Sequence, residues 1–410
     1  MTLPALERRV VVCVGCGGVG KTTVAAAIAL EAARSGRRAL VITIDPARRL
    51  ADALGVETLG NQPEPMPRET LTALGVPPGG SLSALMLDMK RTFDDLVARF
   101  AESAAARDRV LRNPIYRHVS DALAGSVEYS AMEKVYELSR SDAYDTLVVD
   151  TPPAQHALDF LDAPERLLEF LDSRLVKILI HPAMVAGRLS ARWFEWGTRR
   201  ALALIERVSG IGFLEDVSEF LMAFEHMSEG FRARAKEVRA LLLGPQAAFV
   251  LVASPESESV KSAQHFLARL EASSVRIRGI IANRVRVWPG AGDAPALDGA
   301  DPAPLARALA AQEGANFSAE RAARAAIDAA ARYAALVRRD ALALDGLREH
   351  AGRRGAFFRV VPEQRGDVHD LSGLLQVAAA LAQAPESFER VEGGGPMAAS
   401  AQRRSRRGGG

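Results

Sequence analysis

The sequence predicts an α/β fold, a doubly wound and mostly parallel sheet, on three observations. Short, largely apolar runs recur at 10–14, 39–44 and 145–150, with helical stretches between them. Such runs suit strands covered by helices on both faces. The first run passes through a glycine-rich turn, Gly15-Cys16-Gly17-Gly18-Val19-Gly20, into Lys21-Thr22-Thr23 and an alanine-rich helix. The second and third runs end on or beside an aspartate, Asp45 and Asp150. In sheets of this kind ligands gather beyond the carboxyl ends of the strands.

The strand–GxxxxGK[ST]–helix order of residues 10–23 is the P-loop pattern. Its chemistry is that of a phosphate cradle. Successive backbone N–H groups over Gly17, Gly18, Val19 and Gly20 face one concavity, and the helix adds the positive end of its dipole. Lys21 is expected at the β- and γ-phosphates, the Thr22 hydroxyl on Mg²⁺ and the Thr23 hydroxyl near the α-phosphate. The same letters, Gly15-x-Gly17-x-x-Gly20, also fit the dinucleotide fingerprint, with Asp45 ending the next strand. Lys21-Thr22 discriminates: a triphosphate with Mg²⁺ requires that pair and a dinucleotide does not.

Bulk properties set the frame. The chain has 410 residues, 48% of them hydrophobic and 25% charged, which is the balance of a soluble globular protein. The net charge of +2 offers no global field for nucleic acid. Two cysteines, Cys13 and Cys16, make no disulfide framework. No apolar stretch is long enough to span a membrane, and the first residues lack a signal-peptide pattern. A cytoplasmic protein is expected.

The remaining elements follow in order. Gly36 ends the first helix, and 60–81, rich in Pro and Gly, reads as a loop. Residues 82–111, with Leu85, Leu87, Phe93, Leu96, Val97 and Phe100 near helical spacing, and 119–140 read as helices. Residues 154–243 are helical in pattern and hold an aromatic and methionine group including Met184, Trp193, Trp196 and Phe220. That group suits either the core of a helical subdomain or an apolar groove for a client helix. Further strands are expected at 247–252, 276–283 and 356–361, and helices at 257–271, 304–350 and 370–384. The domain reading is one P-loop unit over 1–390, with helical subdomain segments at about 82–140 and 165–243 and a helical insertion at about 304–350. The tail, 391–410, is glycine-rich and basic, with Arg403, Arg404, Arg406 and Arg407, and is expected to be disordered.

Three strand ends supply the chemistry of a hydrolytic site. Asp150 would reach Mg²⁺ from the strand beside the turn, together with Thr22. Taken alone, an acid at a strand end also begins ordinary turns. Asp45 is the candidate to orient an attacking water, with a helix N-cap before Pro46-Ala47-Arg48 as its competing role. His156 follows the Asp150 strand, as a switch residue or a plain surface histidine. Asn283 and Pro362 end later strands, where an adenine would lie; an Asn amide both donates and accepts. Cys13-x-x-Cys16 formally matches a metal or redox motif, but no second pair completes four ligands.

Assembled, these stretches resemble the arsenical pump-driving and tail-anchored-protein targeting ATPase family. The resemblance is carried by GCGGVGKTT (15–23), IDPARRLADALG (44–55), VVDTPPAQHALDFL (148–161), Asn283 and VPEQRG (361–366). It implies a Mg²⁺-dependent ATPase that works as a nucleotide-gated homodimer. Lys21 and Asp45 would act catalytically, with Asp45 positioning water, and the segment from Asp150 to His156 would be the second switch. The helical segments would form a surface for an apolar client helix or a membrane-associated partner, with no specific nucleic acid. One departure stands out. The family usually has lysine at the second loop position, reaching the partner's nucleotide, and here it is Cys16. With cysteines only at 13 and 16, the family's thiolate arsenite site and its zinc site are also absent. The alternatives are a slow nucleotide-dependent switch or scaffold, or a partitioning-type ATPase.

Overall fold

Within the computed structural model, the described residues are 3–45, 47–113, 116, 126–152, 229–230, 232–273, 275–289, 294–297, 299–311, 318–364, 366, 368 and 370–383. The apolar runs fold as expected into β1 (Val10–Gly15), β2 (Arg38–Thr43), β5 (Thr146–Asp150), β6 (Ala247–Ala253), β7 (Ile277–Val285) and β8 (Phe357–Pro362). Two further strands, β3 (Glu64–Pro65) and β4 (Ser81–Met86), complete an eight-stranded sheet in the order β3-β4-β2-β5-β1-β6-β7-β8. Every pairing but β3 on β4 is parallel.

Alternate side chains of each strand enter different cores, which is why the strand sequences are apolar throughout. On one face Val11, Cys13, Val41 and Val250 pack under α1 (Lys21–Arg34), α2 (Arg49–Leu54) and α10 (Leu371–Ala382). On the other, Val10, Val12, Leu40 and Leu251 pack under α6 (Ser126–Ser139), a helical stretch over 232–243, α7 (Ser257–Ala272) and the end of α9 (Ala319–Arg354). β1 and α1 are buried almost residue for residue, so the glycine turn between them hangs from two closely packed elements.

Three expectations are corrected. The reading of 82–111 as helical fails over its first residues, because Ser81–Met86 is strand β4, parallel to β2. Leu85 therefore faces a sheet core and not a helix face. The helix, α4 (Met89–Phe100), starts where Asp88 caps it by accepting from the Arg91 N–H, and α5 (Ala104–Arg112) follows. The loop at 60–81 likewise contains β3 and α3 (Arg68–Ala73). The helices expected at 304–350 are present as α8 (Ala303–Ala310) and α9. However, Leu344, Leu347 and Ala351 of α9 belong to the core beneath the sheet. That half of α9 is the crossover that the parallel pair β7–β8 requires, and not an insertion.

The residues expected to form the 165–243 helical segment lie outside the described residues up to 228. So do His156, the aromatic and methionine group named above and the basic tail.

Candidate active site

β1 lies between β5 and β6, so the glycine turn leaves the middle of the sheet at its carboxyl edge. Two glycines are dictated by space. A Cβ on Gly15 would collide with the Val252 carbonyl of β6, and one on Gly20 with the Asn283 amide of β7. Gly20 also has a φ of 85°, a conformation that side chains disfavour. Gly17 and Gly18 are exposed, with open space where a Cβ would stand. The turn is thus clamped from behind and open in front.

Lys21 opens α1 and is 8% exposed. Its Nζ donates to the Cys16 carbonyl at 2.8 Å, closing the turn on itself. Burial lowers its pKa, against the pull of Asp150. Beside it, the Thr22 hydroxyl donates to Asp150 Oδ2 at 2.8 Å, and the Thr43 hydroxyl donates to the same oxygen at 2.9 Å. The strand register brings these groups together: Cys13 of β1 and Thr43 of β2 both sit opposite Asp150. Burial pushes the Asp150 carboxyl up to about 6, opposed by the two hydroxyl donors and by Lys21.

Asp150 Oδ1 is buried without a hydrogen-bond partner. An orphaned carboxylate oxygen beside a threonine hydroxyl, at the start of a helix, is a donor set for a hard divalent cation. These residues therefore fit Mg²⁺, and the glycine turn fits the phosphates that would accompany it.

Asp45 is half-buried just beyond β2. Its N–H donates to the Thr43 hydroxyl. Its Oδ1 accepts from the Ala47 N–H at 3.0 Å and its Oδ2 from Arg49 at 3.0 Å. It is not the N-cap of α2, where Arg48 stands. Asn283 is 6% exposed, and its Nδ2 donates to the Val19 carbonyl at 2.8 Å. Only the nitrogen end of the amide can make that bond, so its orientation is fixed by chemistry. Asn283 and Pro362 line a cleft of about 460 Å³ with Gly20, Thr23, Ser254 and Gln364.

Cys13 is fully buried, and burial raises its thiol pKa. Cys16 is half-buried on the turn. Among the described residues no group of three or more His, Cys, Asp and Glu could hold a metal ion; Cys13 lies in β1 and Cys16 in the turn. Two residues had no sequence signal of their own: Thr43, an apparently ordinary strand threonine, and Arg284, whose guanidinium donates to the Gly18 carbonyl at 3.1 Å.

Comparison with known proteins agrees with this geometry. The sequence model of the family described as Anion-transporting ATPase matches residues 8–293, more than half of the chain. The chain belongs to that family. Among similar proteins, an uncharacterized protein of Streptomyces coelicolor is 36% identical over 181 residues, covering 44% of this chain and 42% of its own. ATPase GET3 of Chaetomium globosum is 31% identical over 154 residues, 37% of this chain and 42% of its own. A Halobacterium salinarum protein, provisionally named as an arsenical pump-driving ATPase, is 30% identical over 177 residues, 42% of this chain and 26% of its own. The chain thus spans less than half the length of these relatives. No helix of the described residues is long and apolar enough to cross a membrane.

Proposed function

We propose that the chain is a Mg²⁺-dependent ATPase of the arsenical-pump and tail-anchored-targeting type. The observation that carries this reading is the convergence of Thr22, Thr43 and the half-partnered carboxylate of Asp150 beneath an open glycine turn. Gly17, Gly18, Val19 and Gly20 would hold the phosphates through backbone N–H groups, with Thr23 beside them. Lys21 would exchange the Cys16 carbonyl for a phosphate oxygen. Thr22 and Asp150 would hold the metal, and Asn283 and Pro362 would border the adenine. Bound Mg²⁺ supplies positive charge against the charge developing on the transferred phosphoryl group.

Asp45 would orient the attacking water. In this fold its carboxylate is engaged by the Ala47 N–H and Arg49, so the Arg49 contact has to yield for that role. In the cell the cycle would open and close a cytoplasmic homodimer and its helical surface, presented to an apolar client helix or a membrane-associated partner. Cys16, where the family pattern has lysine, favours a second reading, a switch with slow turnover.

Steady-state hydrolysis with Asp45→Asn tests the assignment. Asn keeps the acceptor for the Ala47 N–H and loses the charge. Turnover should fall by about 100-fold or more, equivalent to a few kcal/mol of barrier, while Mg-ATP binding persists. Unchanged turnover would remove Asp45 from the mechanism. A wild-type chain that binds Mg-ATP but turns over negligibly would favour the switch.

A further inference from the structure

We propose that Arg284 is a second cationic element of the phosphate site: it braces the glycine turn through Gly18 and offers its remaining N–H groups to the phosphates of the nucleotide. The inference rests on the nucleotide reading above and adds a residue to it. Three observations converge on this side chain.

The first is the backbone. β7 loses register against β8 between Ala282 and Val285, so Asn283 and Arg284 stand off the ladder as a bulge. Bulges re-aim side chains and favour the surroundings of functional sites. Arg284 has a φ of 59°, and among the described residues it is the one non-glycine with a positive φ. An arginine in that conformation is strained, and such strain persists where the surroundings hold it.

The second is where the two bulge residues point. Asn283 donates to the Val19 carbonyl and Arg284 to the Gly18 carbonyl, two successive carbonyls of the same turn. Drawing those carbonyls toward β7 leaves the N–H groups of the turn free for the opposite side, where an anion would be held. The bulge is therefore a brace on the cradle.

The third is the charge. Arg284 is exposed, and no carboxylate among the described residues is paired with it, unlike its neighbour Arg286, which Asp340 and Glu363 hold. It spends one N–H on Gly18, beside the turn's open mouth, and its planar fork is suited to phosphate oxygens. A brace alone would not need a charge left uncommitted at the rim of an anion site.

The test measures Mg-ATP and Mg-ADP binding by calorimetry, with melting temperatures, on the full chain and on R284N, R284G and R284K. Asn and Gly accept a positive φ, so both remove the charge without adding strain. Because the site is exposed, their melting temperatures without nucleotide should stay within about 2 °C of wild type. Both should bind Mg-ATP about five- to tenfold more weakly, the scale of a charge-assisted contact discounted for exposure. R284K, which keeps charge and loses the fork, should lie between them and wild type. If wild type binds Mg-ATP and either neutral variant binds it equally well, the role of Arg284 is overturned while the nucleotide reading stands. Loss in R284K as large as in R284N also overturns it. If wild type binds no Mg-ATP, both readings fall together.

Discussion

Asp150 is a residue that the fold holds at a cost. It is 1% exposed, accepts two hydroxyl donors on one oxygen and has none on the other. Its carboxyl, pushed up to about 6 by burial, is still mostly ionised at neutral pH, so a metal-free native state carries an under-compensated buried charge. Asp150→Asn removes that charge and keeps an acceptor for Thr22 and Thr43. The metal-free variant should therefore be more stable than wild type, by about 1–3 kcal/mol from the size of the shift. It should also lose Mg²⁺-dependent hydrolysis by about 100-fold or more. Denaturant unfolding in chelator, paired with a hydrolysis assay, checks both. Stability falling together with activity would mean that Asp150 is a structural group and not a metal ligand. Asp45 and Asp150 were legible because an acid closing an apolar strand is a local pattern. Thr43 was not, because its role depends on β5 lying between β1 and β2, which is a matter of strand order.

The helices that precede β5 carry a second buried charge, remote in chemistry from the glycine turn. Glu133 of α6 is 1% exposed and takes Arg99 of α4 and Arg234 of the 232–243 stretch on one oxygen, each at 3.2 Å. Its other oxygen is buried and unpartnered. Glu137 and Glu237 add like charge nearby, and Arg234 also lies over the Tyr136 ring. Burial outweighs the two arginines and pushes the Glu133 carboxyl up to about 7. The sign follows from linkage. Below the ordinary glutamate value both states hold the proton; as pH rises the unfolded chain releases it first, so stability falls until the folded value is passed. Asp150 contributes in the same direction, fading as pH passes about 6, so the comparison with Glu133→Gln between pH 6 and 7 isolates Glu133. Wild type should lose about 1 kcal/mol more than Glu133→Gln across that interval, read by urea unfolding at each pH. Parallel curves would show that the arginines keep Glu133 ionised throughout. At this scale the sequence misled where two periodicities compete. Ser81–Met86 has too few residues to separate a strand from the first turn of the following helix, and its position next to β2 decided the matter.

Across the whole molecule, the site is assembled from residues as far apart as Gly15 and Pro362, delivered by the carboxyl ends of β1, β2, β5, β7 and β8. The parallel sheet makes this possible, since every one of those strands ends on the same edge. The groups on β1 and the acids near it could be read from the chain in order. The bulge that turns Arg284 toward Gly18 could not, because it is set by pairing between β7 and β8, whose sequences are separated by α8 and α9. A site that ties the sheet together in this way should couple ligand binding to global unfolding. A ligand held only by the folded state adds stability in proportion to the logarithm of its concentration over its dissociation constant, about 2.7 kcal/mol at a hundredfold excess. Mg-ATP should accordingly raise the melting temperature progressively with concentration. NAD should not, because on the proposed reading Lys21 and Thr22, with Asp150 behind them, would serve a triphosphate and its metal. A thermal shift series with Mg-ATP, ATP in chelator and NAD reads this directly. Stabilisation by NAD equal to that by Mg-ATP would return the glycine turn to the dinucleotide reading. Stabilisation by ATP undiminished in chelator would take the metal away from Thr22 and Asp150.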